Sequence, residues 1–341
     1  MARRVLSPDG VGLADCVKGA PGDKMIDLST TYLDMKLSSP LVPSASPLTQ
    51  EFANVSRLED AGASAIVFHS VFEETAQSRF ALDHYLDLLR RAKESCSVPI
   101  IASLGATTLA GWTEYGRLIQ QTGVDALELN LYQVPSQVHV SGAELEKGYI
   151  EVVGAVRSVV KIPIAAKLTP FFTSVPNMAR RFQEAGADGL VLFNRFYQPD
   201  VNLDAMEIEP FVLLSTAQDL RLPLTWIGIL FGRIKASLAG TSGVHSPEDV
   251  AKLLLVGADV TMVCSFLLRH GIDRLRDLET GLSRWMEKHQ FRSVAEIKGK
   301  LSQIHCPDSA AFERSQYINA VKGIEKVVLT RREAWRLLAN E

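Results

Sequence analysis

The sequence predicts an α/β protein with a (β/α)8 TIM-barrel fold, and three observations carry that expectation. First, Val124 to Arg195 contains VDALELNLYQ, IPIAAKLTP and ADGLVLFNR, three apolar runs separated by helical segments. Asn130, Lys167 and Asn194 stand at their C-terminal ends. Parallel strands joined by helices have one common spatial solution, the right-handed crossover, which turns all the strand ends the same way. Second, an AGA-like phrase recurs before strands at Ala61–Ala63, Ala185–Ala187 and Val256–Ala258. Each reads as a helix-ending glycine followed by a small residue entering the next strand. Third, the strand–helix units number eight, which suits one closed barrel of about 250 residues or more. A doubly wound open sheet is the alternative, disfavoured because no GxGxxG opens an early helix.

In chain order, residues 1–24 are rich in glycine and proline without periodicity and read as a flexible extension. Ile26–Leu28 and Met35–Leu37 fit a short hairpin across the barrel bottom. The eight inner strands are expected at Pro40–Ala45, Ala65–Phe68, Pro99–Leu104, Ala126–Leu131, Pro163–Leu168, Gly189–Phe193, Lys235–Ala239 and Val260–Cys264. Helices are expected at Asn54–Ala61, Ala76–Cys96, Trp112–Thr122, Tyr149–Val159, Pro176–Ala185 and Pro247–Leu255. Further helices begin at Phe266–Arg269 and run over Ile272–Lys288. Ser246 and Pro247 are a suitable N-cap and first helical residue. Tyr132–Lys147 reads as a long polar loop able to cover a site. Arg195–Phe231, with Pro199, Pro210 and Pro223, reads as an inserted hairpin or lid. The barrel is therefore expected over 25–306, with a charged helical tail over 307–341.

Bulk composition narrows the function class. The chain has 341 residues, 47% hydrophobic and 22% charged, with a net charge of -3, so it carries no basic nucleic-acid footprint. Cys16, Cys96, Cys264 and Cys306 are scattered without a CxxC, which argues against disulfide scaffolding and cysteine–metal sites. No apolar run reaches 18 residues, and the amino end has no signal-like segment. The expectation is a soluble cytoplasmic protein without membrane insertion. No HExxH or clustered carboxylate pair marks a metal site.

Gly240–Gly243 is a glycine turn after the seventh strand, where barrels frequently hold a phosphate with backbone N–H groups. Ser242 and Gly243 would share that work with Cys264 and Ser265 after the eighth strand. A lysine deep in a barrel mouth must be paired or used. Lys167 either neutralises a carboxylate such as Glu128 or stabilises an electron-rich ring or enolate. Asn130 and Asn194 offer both donors and acceptors, for a planar heterocycle or for strand-end capping. His69 and His139 lie near strand exits as acid–base or structural groups. Cys264 suits packing better than nucleophilic attack.

These segments resemble the class 1 dihydroorotate dehydrogenases, FMN-containing barrel enzymes, over about residues 25–304. The likeness rests on SPLVPSAS, LELNL, AAKLTP, LVLFNR, the glycine turn, GADVTMVCS and GLSRWMEKHQFRSVAEIKG. It implies FMN as cofactor. Ala45 and Ser46 would lie against the flavin and Ser70 close to its ring. Asn130, Lys167 and Asn194 would contact flavin or substrate, and Gly243 with Cys264–Ser265 would grip the phosphate. It also implies a homodimer and an electron donor or acceptor, for which a separate reductase subunit is the candidate because no cluster-binding cysteines lie here.

The departures from the family pattern are specific. The family's catalytic cysteine or serine corresponds to Gln133, whose amide is not a useful proton acceptor. The closing asparagine of that motif corresponds to Pro135, a lysine before Ser70 to His69, and a small hydroxyl after Asn194 to Arg195. An FMN oxidoreductase acting on a small polar substrate is therefore expected, with Tyr132, His69, Lys167 and Asn130 as catalytic candidates. Dihydroorotate oxidation with a nonstandard base and a catalytically degenerate flavin-binding subunit are the alternatives.

Overall fold

The computed structural model describes residues 26–74, 79–196, 198–209, 213–307, 309, 313, 317–318 and 321–323. The expected extension over 1–24 and most of the expected tail over 307–341 lie outside the described residues. The strands are β1 (Thr30–Tyr32), β2 (Met35–Leu37), β3 (Leu41–Pro43), β4 (Ile66–Phe72), β5 (Ile100–Gly105) and β6 (Ala126–Asn130). They continue as β7 (Ile164–Leu168), β8 (Gly189–Leu192), β9 (Asp200–Asn202), β10 (Glu207–Glu209), β11 (Ser237–Thr241) and β12 (Val260–Val263). The helices are α1 (Phe52–Asp60), α2 (Arg79–Ser95), α3 (Leu109–Gln120), α4 (Gly142–Val159) and α5 (Val175–Glu184). After them come α6 (Arg221–Leu230), α7 (Pro247–Val256), α8 (Ser265–His270), α9 (Leu275–Lys288) and α10 (Val294–Ile297).

The eight-stranded parallel sheet has the order β3-β12-β11-β8-β7-β6-β5-β4. The last strand therefore pairs with the first, Thr261 opposite Leu41 and Val263 opposite Pro43. On the other side of β3, both the amide and the hydroxyl of Ser64 donate to Leu41 O. This is the expected TIM-barrel architecture. Small and branched side chains fill its axis, among them Val42, Val67, Ala126, Ala165, Val191 and Val260. The outward residues of the same strands, such as Ile66, Leu127, Ala166 and Leu190, pack under the helices. Period-two alternation thus separates two cores across one sheet.

The bottom hairpin exists but uses β1, not Ile26–Leu28. Thr30 pairs with Leu37 and Tyr32 with Met35. Its two turn residues, Leu33 and Asp34, both have positive φ, 51° and 60°, as tight hairpins of matching twist require. Thr30 Oγ1 donates to Asp259 O, and Leu33 N donates to Ser237 Oγ, so the hairpin is fixed to the barrel floor. Tyr32 then plugs the axis, fully buried, and its hydroxyl has no hydrogen-bond partner.

Three boundaries differ from expectation in ways that shape the mouth. α4 begins at Gly142 because Ser141 and Glu144 form a reciprocal capping box, so the polar loop is shorter than Tyr132–Lys147. β11 is Ser237–Thr241 instead of Lys235–Ala239, which moves Gly240 and Thr241 into the strand. The segment Arg195–Phe231 holds the β9–β10 hairpin but also α6, a helix the sequence reading lacked. Pro223 lies in its first turn, where backbone N–H groups have no helical acceptor anyway.

The orphaned hydroxyl gives a discriminating stability test. Tyr32→Phe is expected to leave stability within about 0.5 kcal/mol of wild type, or to raise it, because only an unsatisfied donor is removed. Tyr32→Ala should cost about 3–5 kcal/mol through the cavity left in the axis. Chemical denaturation of both variants measures the difference; a large loss in Tyr32→Phe would mean the hydroxyl is hydrogen-bonded in solution.

Candidate active site

Strand alternation brings Lys167 into the axis, because Ala165 two residues earlier faces inward. Its Nζ lies 3.4 Å from Glu128 Oε1 and donates to Ser44 Oγ at 3.3 Å. Glu128 is fully buried and neither carboxylate oxygen has a hydrogen bond. The ion pair expected as one use of Lys167 is thus present, and the ammonium also reaches the opposite wall of the barrel. Removing one member of such a buried pair leaves the other charge uncompensated.

A second chain of contacts crosses the mouth. Asn194 Nδ2 donates to Asn130 Oδ1 at 2.5 Å, and Asn130 Nδ2 donates to Ser70 Oγ at 3.2 Å. Ser70 Oγ is 2.8 Å from Ser103 Oγ. Tyr85 OH donates to Ser103 O and accepts from Ser103 N. Four strand ends are thereby held in one row.

Ser44, Lys167 and Asn194 border a cleft of about 140 Å³ at the strand ends. Of the candidates, Ala45, Lys167, Asn194, Ser242, Gly243, Cys264 and Ser265 line it. Asn130 and Ser70 join through the hydrogen-bonded row. Ser46 does not line it and instead sits at the start of a 3-10 turn, Pro47–Gln50. Ser44, one pleat step beyond the inward Val42, takes the position facing Lys167. Arg195, Ser215 and Thr241 also line the cleft. Thr241 follows from alternation with Ala239, whereas Ser215, in the irregular segment, has no local signal.

The glycine turn is tight. Ser242 and Gly243 have φ of 75° and 81°. A Cβ on Gly243 would lie 2.2 Å from Leu220 N, so the backbone of the Ala217–Leu220 turn requires glycine there. Ser215 N donates to Ser265 Oγ, and Ser215 Oγ lies 3.2 Å from His245 Nε2. The two halves of the expected phosphate grip are therefore joined through Ser215. Burial raises the Cys264 thiol, against the lowering influence of Lys167 and Arg195, which fits packing more than nucleophilic attack.

His69 is not brought to the cleft. The β4–β5 register shifts between Val67 and Ser70, and Ser70 pairs with Ser103. That bulge turns Ser70 inward and leaves His69 against α2. Its Nδ1 lies 3.2 Å from Thr49 Oγ1, and its ring meets Tyr85 edge-on at 5.1 Å. Burial lowers its pKa. Tyr132 stands at the rim beside Phe196, with ring centroids 6.1 Å apart. Together with Gln133 it borders a separate groove with Trp112, Glu144 and Tyr149. His139 is exposed on the same loop.

No family model matches the chain. Among similar proteins is a putative dihydroorotate dehydrogenase A (fumarate) of Aeropyrum pernix, 31% identical over 227 residues. The match covers 62% of this chain and 70% of that protein. The chain belongs to the class 1 dihydroorotate dehydrogenase-like family of flavin barrels. It is an oxidoreductase acting on CH–CH groups. The catalytic subunit of dihydroorotate dehydrogenase B (NAD(+)) from Thermoplasma volcanium is 25% identical over 310 residues, 81% of this chain and 98% of that one. The NAD-dependent dihydropyrimidine dehydrogenase subunit PreA of Escherichia coli (strain K12) is also 25% identical, covering 89% of this chain and 83% of the subunit. Among the described residues, no group of three or more His, Cys, Asp or Glu side chains is placed to hold a metal ion. No helix among them is long and apolar enough to cross a membrane.

Two outcomes are expected from this geometry. Gly243→Ala should lower stability by more than about 1 kcal/mol, since alanine at positive φ is strained. It should also reduce the flavin retained on purification, read from the flavin-to-protein absorbance ratio. For His69, a lowered folded pKa means the unfolded chain binds the proton first on acidification. Stability is therefore full above the ordinary histidine pKa of about 6.5 and falls below it. His69→Gln should flatten part of that fall in thermal unfolding between pH 7 and 5; an unchanged slope would show that His69 does not contribute.

Proposed function

We propose that the protein is an FMN-dependent oxidoreductase that transfers a hydride between the flavin and a small polar, heterocyclic or carboxylated substrate other than dihydroorotate. The observation that carries this reading is the convergence of Lys167, the Asn194–Asn130–Ser70 row and the Ser242–Gly243 turn on one cleft.

The residues fit the group by their chemistry. A buried ammonium suits an electron-accepting ring. Paired amides suit a heterocycle with alternating donors and acceptors. A glycine turn joined to Ser265 suits a phosphate. Bound there, FMN would supply a two-electron centre able to accept or donate hydride.

The chain's own residues then divide the work. Lys167 contributes a fixed positive charge, oriented by Glu128 and Ser44. Asn130 and Asn194 orient the planar group, with Ser70 holding Asn130. Ala45 and Cys264 contribute surface against the cofactor, and Ser242, Gly243 and Ser265 hold its anionic end. Tyr132 at the rim serves as proton donor when an unsaturated substrate is reduced. His69, facing Thr49, acts on position and not on the proton.

Gln133 is the reason for setting dihydroorotate aside. Its oxidation needs proton removal beside the carbon that loses hydride, and an amide offers no basic group for that step. The names of two relatives, a catalytic subunit and the subunit PreA, support an electron partner carried on a separate protein.

Anaerobic spectroscopy decides the substrate. Dihydroorotate added to the flavin-loaded protein is expected to leave the visible flavin absorption unchanged from pH 6 to about 9, beyond the neutral range of ordinary acid–base groups. Bleaching would establish dihydroorotate as a substrate. A purified chain unable to bind flavin would overturn the larger reading.

A further inference from the structure

A second cavity opens beside the cleft. It has a volume of about 190 Å³, and Phe171, Phe196, Leu222 and Pro223 supply much of its wall. Phe193, Asn194, Arg195 and Ser242 border both spaces. Phe171 and Phe196 meet edge-to-face, with centroids 4.8 Å apart and planes at 82°. The chamber is thus aromatic on one side, with a guanidinium at the boundary it shares with the cleft.

Arg195 is only partly engaged. Its Nη1 lies 3.1 Å from Asp219 Oδ2, without hydrogen-bond geometry, and has no hydrogen-bond partner although it is shielded from solvent. That same carboxylate oxygen already accepts from Thr216 N at 2.7 Å and Thr216 Oγ1 at 3.2 Å. Burial raises the Asp219 carboxyl, but the Thr216 hydrogen bonds and Arg195 outweigh it and keep it below the ordinary range. Asp219 therefore stays ionised and tethers Arg195 without saturating its five donors. The cleft is lined by two cations, Lys167 and Arg195, and by no carboxylate, while Asp219, already engaged by Thr216 and Arg195, lines the chamber.

We propose that Arg195 and the Phe171–Phe196 chamber form a substrate-selecting subsite for an aromatic carboxylic acid. The carboxylate would sit on Arg195 and the ring in the chamber, with the remainder of the molecule directed into the cleft. Arginine's planar fork matches a carboxylate, and an aromatic pair favours an aromatic guest. The inference deepens the proposed function and rests on it for the position of the reacting bond, not for the existence of the subsite. The same guanidinium chemistry would serve the cofactor's own phosphate, so the experiment must separate the two anions.

Calorimetric titration of the purified full chain with benzoate, benzamide and acetate makes that separation. Benzoate is expected to bind roughly tenfold or more tighter than benzamide, the size of a charged hydrogen bond. Acetate should bind more weakly than benzoate. Arg195→Gln should abolish the preference for benzoate over benzamide while the flavin-to-protein ratio stays at the wild-type value. Phe171→Ala should bring benzoate down toward acetate while the carboxylate preference remains. Equal binding of benzoate and benzamide by wild type would overturn the subsite. So would an Arg195→Gln protein that loses flavin yet keeps the preference, since Arg195 would then hold the cofactor's phosphate. If the glutamine variant fails to fold, Arg195→Lys carries the test: benzoate binding weakened severalfold supports the fork, and unaltered binding overturns it. Because calorimetry needs no flavin signal, a chain without flavin would remove the proposed function while still deciding the subsite.

Discussion

The buried Lys167–Glu128 pair is the interaction on which the organisation of the mouth depends. A cation inside a parallel barrel has few acceptable surroundings, because the low-dielectric axis penalises an uncompensated charge. Here the strand register solves the problem: β6 and β7 pair so that Asn130 lies opposite Lys167, with Glu128 one pleat step below. The remaining donor capacity of Lys167 reaches Ser44, which the pairing of β3 with β12 brings round to the far side. A slip of one residue in the pairing of β7 would send the lysine into the apolar layer beneath the helices, and one in the pairing of β3 would turn Ser44 away from it. The charge and the closure of the barrel are therefore mutually dependent.

Around that centre, the mouth is assembled from segments of unlike regularity. β6 and β7 deliver Asn130 and Lys167 through alternation alone, whereas Asn194 lies beyond the end of β8 and out of phase with the inward Val191. The opposite wall is made by Ser215 and the Ala217–Leu220 turn, which belong to no barrel strand. They are held at three places: Ser215 on Ser265, Asp219 beside Arg195, and the Leu220 backbone against Gly243. The absence of a side chain at Gly243 thus serves two surfaces, the turn facing the cleft and the turn packed behind it. A stretch that looks like an insertion in the sequence is a wall of the site in three dimensions.

Much of this was legible from the sequence, and the failures have physical causes. The eight strands and the Ser246 cap follow from periodicity and cap chemistry, which are local. Helix α6 escaped notice because LPLTWIGIL is nearly apolar throughout and Pro223 resembles a breaker, although its place in the first turn makes it harmless. His69 was misplaced because alternation from Val67 puts it inward, whereas the bulge hands the inward position to Ser70; a register shift has no composition. Ser44 and Ser46 share the phase of Val42, but β3 ends at Pro43 and the chain turns into Pro47–Gln50, so it is Ser44 that meets Lys167. Ser215 carries no signal because its partners, Ser265 and His245, are distant in sequence.

The departures from the family pattern have a spatial order that bears on function. Asn130, Lys167, Asn194 and Gly243 match the pattern, and all four belong to the inner row or the glycine turn, where packing and register leave little freedom. Gln133 and Pro135 lie on the loop before α4, and Arg195 stands between the cleft and the aromatic chamber. His69, the remaining departure, has been turned away by the bulge. Change at the rim alters which molecule enters and how its proton is handled, while leaving the electrostatics of the axis in place. An arginine where a hydroxyl is expected adds charge and length together, so it alters both the sign and the reach of the boundary. The inner row and the substrate entrance are thus separable: the Lys167–Glu128 pair and the Asn194–Asn130–Ser70 row are fixed by strand register, whereas Arg195 and Tyr132 stand where the chain has left the strands.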